Sequence, residues 1–525
     1  MALRGHDDDG LPCDVNLHQG NFKNLIAFRA EAGDTVLAKH LQMCAKNASY
    51  LSPRIQNELI ILSARIVRAK LIRELIEKRL FYSLLADETS DISGREQLSI
   101  SVRYVSSEPD ASGEFIHEVF LGFIPLENLT AIAVANKMCE FLKIIGLSID
   151  LIRGQGYDGA HVMSGRLGGV QKLISDQSPR AIYIHCSNHS LDLVLKNSCD
   201  ESNVKSFFGT IKSIIKFINK SPKRKMMFKA AVEATVSNQN HQHHHTLIKM
   251  CETRWVDKQS AILVFRQLFG SILIVLEHLA AHGDSDTSAL AAAYYKSISS
   301  DIEFITPLII VSRVFALTKP YTESLQSPTC DIVECYDNIE ELTLYLVELM
   351  NNDNMDKLHN DLVQFALDHD IPYQLSRRKK TTPRSFFDLI YQSFISSAVD
   401  ELGPRFSVHQ KLAAKISKLM PNNVKEIEFD DVKNTEFEMW QNIWRKRSDN
   451  NLPSTIGEVL KLTYSQRDFY PNIYRLLTIF ATLPISVATA ERSFSVLKLV
   501  KTYLRNSMGD ERLSALVLLH VHRVV

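Results

Sequence analysis

Apolar residues recur at helical spacing between about 36 and 80, as in Leu59, Leu62, Ile66, Leu71, Ile72 and Ile76, and this predicts helix. Pro53 stands where such a helix can begin, because its fixed φ suits the first turn and its missing N–H is not needed there. Residues 1–35 are polar, with Asp7, Asp8 and Asp9 in succession, and read as a poorly ordered lead-in. The period then changes. Phe81–Asp87 is a short apolar run ending in an acid, Gln97–Val105 alternates apolar and polar side chains, and Phe115–Phe123 does the same. Turns rich in Asp, Ser, Gly and Pro separate these runs, so they predict an antiparallel meander. Helix returns over Leu129–Leu147, strand over Ile149–Gly154, helix over Leu167–Ser175, strand over Ala181–Ile184 and helix over Ser190–Asn197.

From about 200 to 465 the pattern is almost wholly helical, with segments at Val204–Asn219, Lys258–Ala281, Ala289–Thr318, Asp331–Asn351 and Met355–Asp368. A His-rich stretch at Asn238–His245 and the stretch Pro372–Pro383 interrupt it. A final pair, Tyr474–Thr482 and Ala488–Leu504, leads into Glu511–His522. No repeat period emerges. The order β-β-β-α-β-α-β-α is that of an RNase H-like core. The expected fold is therefore α/β: an RNase H-like catalytic core interrupted by a large all-α insertion domain, with a C-terminal helical segment. The expected divisions are a leader at 1–35, a helical region at 36–80, the first part of the core at 81–200, the insertion at 201–465, and the C-terminal part at 466–525.

Composition narrows this picture. The 525 residues are 45% hydrophobic, enough for two or three domains. Sixty Lys and Arg balance sixty Asp and Glu, so attraction to nucleic acid must come from local patches. The cysteines at 13, 44, 139, 186, 199, 251, 330 and 335 form no C-x-x-C pair, so neither a disulfide framework nor a structural zinc finger is expected. No apolar run approaches the roughly 20 residues of a membrane helix, and no membrane partner is expected.

Asp87 closes the first strand and Asp158 follows a later one, in RGQGYDGAH. Carboxylates at the carboxyl ends of adjacent strands can share Mg²⁺ or Mn²⁺, hard cations that prefer oxygen ligands. Two such ions activate a water or hydroxyl and stabilise the leaving oxygen in phosphoryl transfer. Glu491, in PISVATAERSFS, is the candidate third ligand, with Thr489 as the expected helix cap. By themselves these acids are equally read as turn, cap and ordinary helix residues.

Five blocks then occur in order: LADETSDISGREQLSISVRYV, IRGQGYDGAHVMSG, HCSNHSLDLVL, CETRWVDKQSAI and LPISVATAERSFSVLKLVKTYLRNSM. Together they resemble the hAT transposase superfamily, in its zinc finger MYM-type and 52 kDa repressor-like branch. The resemblance implies that Asp87, Asp158 and Glu491 are the catalytic and metal-binding triad. It also implies that Cys186 and His189 are the family's C-x-x-H pair, that Arg254 and Trp255 are a DNA-contacting pair, and that the last block is a dimerisation segment. A homodimer or higher oligomer, DNA as a partner and a nuclear location follow as expectations. The family's N-terminal zinc-binding finger has no counterpart in the chain, which leaves site-specific end recognition without an expected source.

For several residues a plainer reading stands beside this one. Trp255 also suits a core anchor, and Cys186 and His189 suit a structural role near the cleft. His241, His243, His244 and His245 suit a solvated loop. Lys223–Lys225 and Arg377–Lys380 suit DNA backbone contacts, nuclear import signals or a solvated charge run. Three functional readings remain: a metal-dependent nuclease and strand-transferase core, a domesticated non-catalytic protein that uses the scaffold for dimerisation, and an all-α scaffold with incidental acids. The apolar surplus at Phe494, Val496, Leu497, Leu499, Val500, Leu504, Leu513, Leu516, Leu518 and Leu519 marks either a partner interface or an internal core contact.

Overall fold

The three alternating runs pair as a meander: β1 (Tyr82–Ser90), β2 (Glu96–Val105) and β3 (Ile116–Leu126) are antiparallel, with Asp87 opposite Ser99 and Val105 opposite Ile116. The β1–β2 turn is built by Asp91, whose carboxylate accepts the Ser93 and Arg95 N–H groups, and by Gly94 at φ 77°. Two parallel strands, β4 (Ile152–Tyr157) and β5 (Ile182–His185), extend the sheet to the order β3-β2-β1-β4-β5. This is a computed structural model, and it describes residues 20–45, 48–199, 202–235, 245–250, 255–376, 379–424, 435–447 and 452–523. The five-stranded sheet rules out an all-α scaffold.

Ahead of the sheet lie α1 (Asn21–Glu31), α2 (Thr35–Met43) and α3 (Pro53–Glu77). The polar lead-in is thus partly helical, while residues 1–19 fall outside the described residues. Pro53 does open α3, behind Ser52, whose hydroxyl accepts the Ile55 N–H. Next come α4 (Ala131–Ile145) between β3 and β4, α5 (His161–Ser164) and α6 (Val170–Gln177) between β4 and β5, and α7 (Ser187–Ser198) after β5.

A long helical stretch follows: α8 (Ser202–Lys220), α9 (Pro222–Thr235), α10 (Trp255–Gln267), α11 (Phe269–His282), α12 (Ser285–Ser299), α13 (Ile305–Leu325), α14 (Ile332–Leu349) and α15 (Asn352–Asp368). Then come α16 (Pro383–Ile416), α17 (Pro421–Val424), α18 (Thr435–Arg445) and α19 (Ile456–Thr463), and finally α20 (Pro471–Thr482), α21 (Ala488–Val500) and α22 (Asp510–Val521). The single helix expected over Lys258–Ala281 is two, bent by 72° at the break. That expected over Ala289–Thr318 is also two, α12 and α13. The 34-residue α16 lies in the stretch expected to be helical, though not among the segments singled out there. Gly403 and Pro404 interrupt its middle, yet Phe387, Ile390, Tyr391, Phe394, Ile395, Ala398 and Leu402 all bury at helical spacing. No single helix among the described residues is long and apolar enough to cross a membrane.

Period-two alternation gives the sheet two different faces. Tyr82, Leu84, Ala86, Leu98, Ile100 and Val102 pack with Val134, Met138 and Leu142 of α4 and Ile174 of α6 in one core. The opposite face carries Ser83, Ser99, Ser101 and Arg103, all fully buried, and receives the C-terminal helices. The apolar surplus near the C-terminus goes largely inward: Phe494, Leu497, Leu513 and Leu518 pack on Phe120 and Phe123 of β3 and on Ile60 and Ala64 of α3. Leu499 stays 66% exposed and Tyr503 79%. The C-terminal segment is a layer of the fold.

Candidate active site

Leu85 pairs with Gly156 across the parallel strands, which brings Asp87, two residues on in β1, and Asp158, just past β4, to the same edge of the sheet, near enough for the Asp158 charge to act on Asp87. The glycines of GQG explain how a third element reaches them. A Cβ on Gly154 would lie 2.6 Å from Pro484, and one on Gly156 2.9 Å from it. Only bare backbone lets Pro484 lie flat on β4. Beyond Pro484 the chain is held twice: the Ser187 N–H donates to the Ile485 carbonyl at 2.8 Å and the Val487 N–H to Cys186 Sγ at 3.4 Å. α21 begins at once, with Glu491 in its first turn. Ser493 Oγ lies 2.9 Å from the hydroxyl of Ser99, the cross-strand partner of Asp87. The three acids therefore reach one cleft from three distant stretches of chain.

Thr489 is not the cap. The cap position is Val487, with no side-chain bond, and the Thr489 hydroxyl instead donates to Glu118 Oε2 at 2.5 Å. Glu118 Oε1 accepts from Arg103 Nη1 at 2.9 Å, and Arg103 also donates to the carbonyls of Ala481, Pro328 and Cys330 at 3.0, 2.8 and 2.7 Å. This buried Arg103–Glu118–Thr489 chain orients the start of α21. Sequence reasoning passed over Arg103 and Glu118. The available signal was an arginine in phase with Ser99 and Ser101 on the non-apolar side of β2.

Acids crowd one another here. Burial raises the Asp87 carboxyl well above the usual carboxylate range, and the charges of Glu491 and then Asp158 raise it further, against one lowering hydrogen bond from the Glu88 N–H. Glu88 is raised by burial and then by Asp158. Asp192 of α7, which the sequence reading did not single out, is pushed up to about 8 by burial and Glu491, with Lys258 opposing. Its Oδ1 is buried without a hydrogen-bond partner.

Cys186 is buried at the start of α7, its thiol pushed up by burial and by Glu491. It is a neutral thiol taking a backbone N–H. His189 is lowered by burial, with Asp158 opposing, and sits edge-on to His185 at 5.5 Å. Gly159 allows that crowding, because a Cβ there would fall 2.4 Å from His185 Nε2.

Asp87, Asp158 and Glu491 offer oxygen donors, which suit Mg²⁺ or Mn²⁺ rather than a thiolate-bound ion. Among the described residues no three His, Cys, Asp or Glu side chains are already gathered at ligand distance. The carboxylates line the cleft without forming a closed cage.

Arg254, His241, His243 and His244 lie outside the described residues, as do Arg377 and Arg378. Trp255 opens α10, and His245 is exposed. Lys379 is tied into the fold, donating to Asn203 Oδ1 at 2.8 Å and lying 4.0 Å over the Phe386 ring, so it is not a loose charge awaiting DNA.

Comparison with known proteins agrees with this layout. Residues 1–169 match the ZMYM1/FAM200 RNase-like domain, and residues 442–524 match the hAT family C-terminal dimerisation region. The chain thus joins an RNase-like match to a match with the hAT dimerisation region. It is 25% identical over 560 aligned positions to the human 52 kDa repressor of the inhibitor of the protein kinase, and the mouse protein of that name matches equally well. Each alignment covers 99% of the chain and 72% of the relative. The RNase-like match contains Asp87 and Asp158, and the dimerisation match contains Glu491. The two matched segments are therefore the two walls of the cleft. The chain is transposase-derived, and its dimerisation region marks it for oligomerisation.

Proposed function

We propose that the protein works as a homodimer or higher oligomer and retains an Asp87–Asp158–Glu491 site for metal-dependent cleavage and strand transfer of DNA, within an RNase H-like core interrupted by the α8–α19 helices. One observation carries the reading: acids from β1, β4 and α21 converge where burial and mutual repulsion raise Asp87, and the leading influences on it include no cation. A divalent ion held by these acids would offset their mutual repulsion. When bound, it activates a water or hydroxyl and stabilises the leaving oxygen of a phosphodiester. Asp87, Asp158 and Glu491 would hold it. Arg103, Glu118 and Ser493 keep the Glu491 helix in place, and Pro484 closes the β4 side. His189, kept neutral by burial, borders Asp158 and offers a ring nitrogen for proton movement at the edge of the cleft.

The test is nicking of supercoiled plasmid in Mn²⁺ or Mg²⁺. Wild type is expected to nick, while Asp87→Asn, Asp158→Asn and Glu491→Gln are each expected to lose at least ~100-fold, the scale of one essential catalytic group. Equal activity in wild type and all three variants sinks the catalytic reading.

A second reading is favoured by the similarity along the whole chain to a protein named as a repressor. Here the scaffold is a domesticated, nuclear, non-catalytic dimer that makes regulatory or DNA-associated contacts. The two readings share the dimer. Because Leu513 and Leu518 are core residues, deletion of 485–525 removes a layer of the fold, so the dimer is better tested through exposed Leu499 and Tyr503. Leu499→Glu with Tyr503→Glu is expected to give a monomer by light scattering. An unchanged dimer places the interface elsewhere.

A further inference from the structure

Between Ser202 and Thr235, α8 and α9 carry seven lysines and one arginine against a single acid, Glu233. In a chain whose charges balance at sixty each, this excess is local. α8 is strongly two-sided: Phe207, Ile211, Ile214 and Ile218 are buried, which turns Lys216 and Lys220 outward. Lys212, Lys216 and Lys220 recur every four residues, a step of ~6 Å along one helix face. After the turn at Ser221, α9 adds exposed Lys223 and Lys225. Arg224 braces the joint by lying 4.2 Å over the Phe217 ring. The acid that feels Arg224 is Asp284, already engaged in capping α12 through the Thr287 N–H. Exposed Lys249 is brought to the same end, because Asn219 Nδ2 donates to the Leu247 carbonyl at 3.1 Å. Among the described residues, Lys216, Lys220, Lys223 and Lys225 meet no acid at ion-pair distance.

We propose that the α8–α9 face binds the phosphate backbone of duplex DNA without reading its sequence. A row of outward lysines on a rigid helix pair suits a regular line of phosphates, and each lysine engaged releases condensed counterions. A lipid surface fits less well, since an interfacial helix presents an apolar face outward, whereas the apolar face of α8 is consumed by the core. The proposal deepens the DNA reading above by naming the surface that holds the substrate, and it rests on that reading only for the identity of the polyanion.

The experiment is fluorescence anisotropy of the full chain with a labelled duplex of about 30 base pairs, in EDTA, across ~50–200 mM KCl. Binding is expected to weaken steeply with salt. Joint Lys216→Ala, Lys220→Ala, Lys223→Ala and Lys225→Ala is expected to lower the log–log salt slope by about 3–4 and affinity at low salt by at least ~100-fold. The same four positions as arginine should retain binding, and an unchanged melting temperature shows that the fold is intact. The proposal is overturned if the alanine variant keeps the wild-type slope, if wild type fails to bind the duplex at ~50 mM salt, or if phosphatidylserine vesicles bind more tightly than the duplex. EDTA removes catalysis from this assay. Intact duplex binding without Mn²⁺-dependent nicking would sink the catalytic reading alone.

Discussion

Asp87 lies inside β1, which runs on to Ser90 rather than closing at this acid, and Asp91 lies four residues on in the turn; the fold treats them in opposite ways. Asp91 is fully buried and neutralised. Burial would raise its carboxyl, but hydrogen bonds from Lys501, the Ser93 hydroxyl and N–H, and the Arg95 N–H outweigh that and hold it at about 2. Lys501 is itself 1% exposed, so α21 is locked to the β1–β2 turn by a dry ion pair. Asp87 is half-buried, and burial and then the charges of Glu491 and Asp158 raise it, against one hydrogen bond from the Glu88 N–H. A carboxylate with a fixed cation is spent on structure. One with other carboxylates around it is stressed until a cation arrives, and that contrast separates a joint from a candidate active site nearby.

The comparison breaks most violently at the joint. Lys501→Ala leaves Asp91 buried without its charge partner and is expected to cost about 3–5 kcal/mol, read as a fall in the denaturation midpoint at pH 7. Asp91→Ala costs a similar amount, and if either change is nearly neutral the pair is not the lock described here. A milder form uses pH. The folded carboxyl lies below its unfolded value of about 3.9, so its stabilisation is complete above that value and is lost as pH falls toward about 2. An Asp91→Asn variant is expected to show a shallower loss of stability across that window than wild type.

At Asp87 the sign reverses. Asp87→Asn removes repulsion in the metal-free cleft and is expected to stabilise the protein by on the order of 1 kcal/mol while abolishing the rise in melting temperature that Mn²⁺ gives wild type. A destabilised variant that still responds to Mn²⁺ would erase the distinction between the two acids. At Asp192 the effect depends on pH, because at about 8 the folded carboxyl is protonated in neutral solution. Asp192→Asn should match wild type near pH 4 and gain on it as pH rises from about 4 to about 8, where only the unfolded carboxyl ionises.

The sheet was legible because alternation is a period-two signal, and its strands begin within two residues of where alternation predicts, apart from the shift of β4 to Ile152–Tyr157. Asp87 and Asp158 stood out as acids at strand ends. Glu491 did not, since nothing local distinguishes it from any helix-start acid, and only the family blocks tied it to the aspartates. Arg103 and Glu118 were illegible for a different reason. Arg103 donates to backbone carbonyls at Pro328, Cys330 and Ala481, and Glu118 accepts from the Thr489 hydroxyl, contacts too far along the chain for a strand's pattern to announce. The break between α10 and α11 contains no proline, so the periodicity ran through a bend that tertiary packing imposes.

The close fit of Pro484 onto Gly154 and Gly156 also sets an order of events during synthesis. The sheet's two aspartates emerge from the ribosome early, while the segment that seats Glu491 follows only after the whole α8–α19 stretch. A nascent chain thus carries a half-built acidic cleft through most of translation, with the polar sheet face bearing Ser99, Ser101 and Arg103 waiting uncovered for α20 and α21. Closing that gap is a contact of very long sequence separation, the kind that comes late and slowly in folding. Glu491 joins the two aspartates only when the C-terminal helices dock, so the segment that matches the dimerisation region is also the one that completes the candidate site.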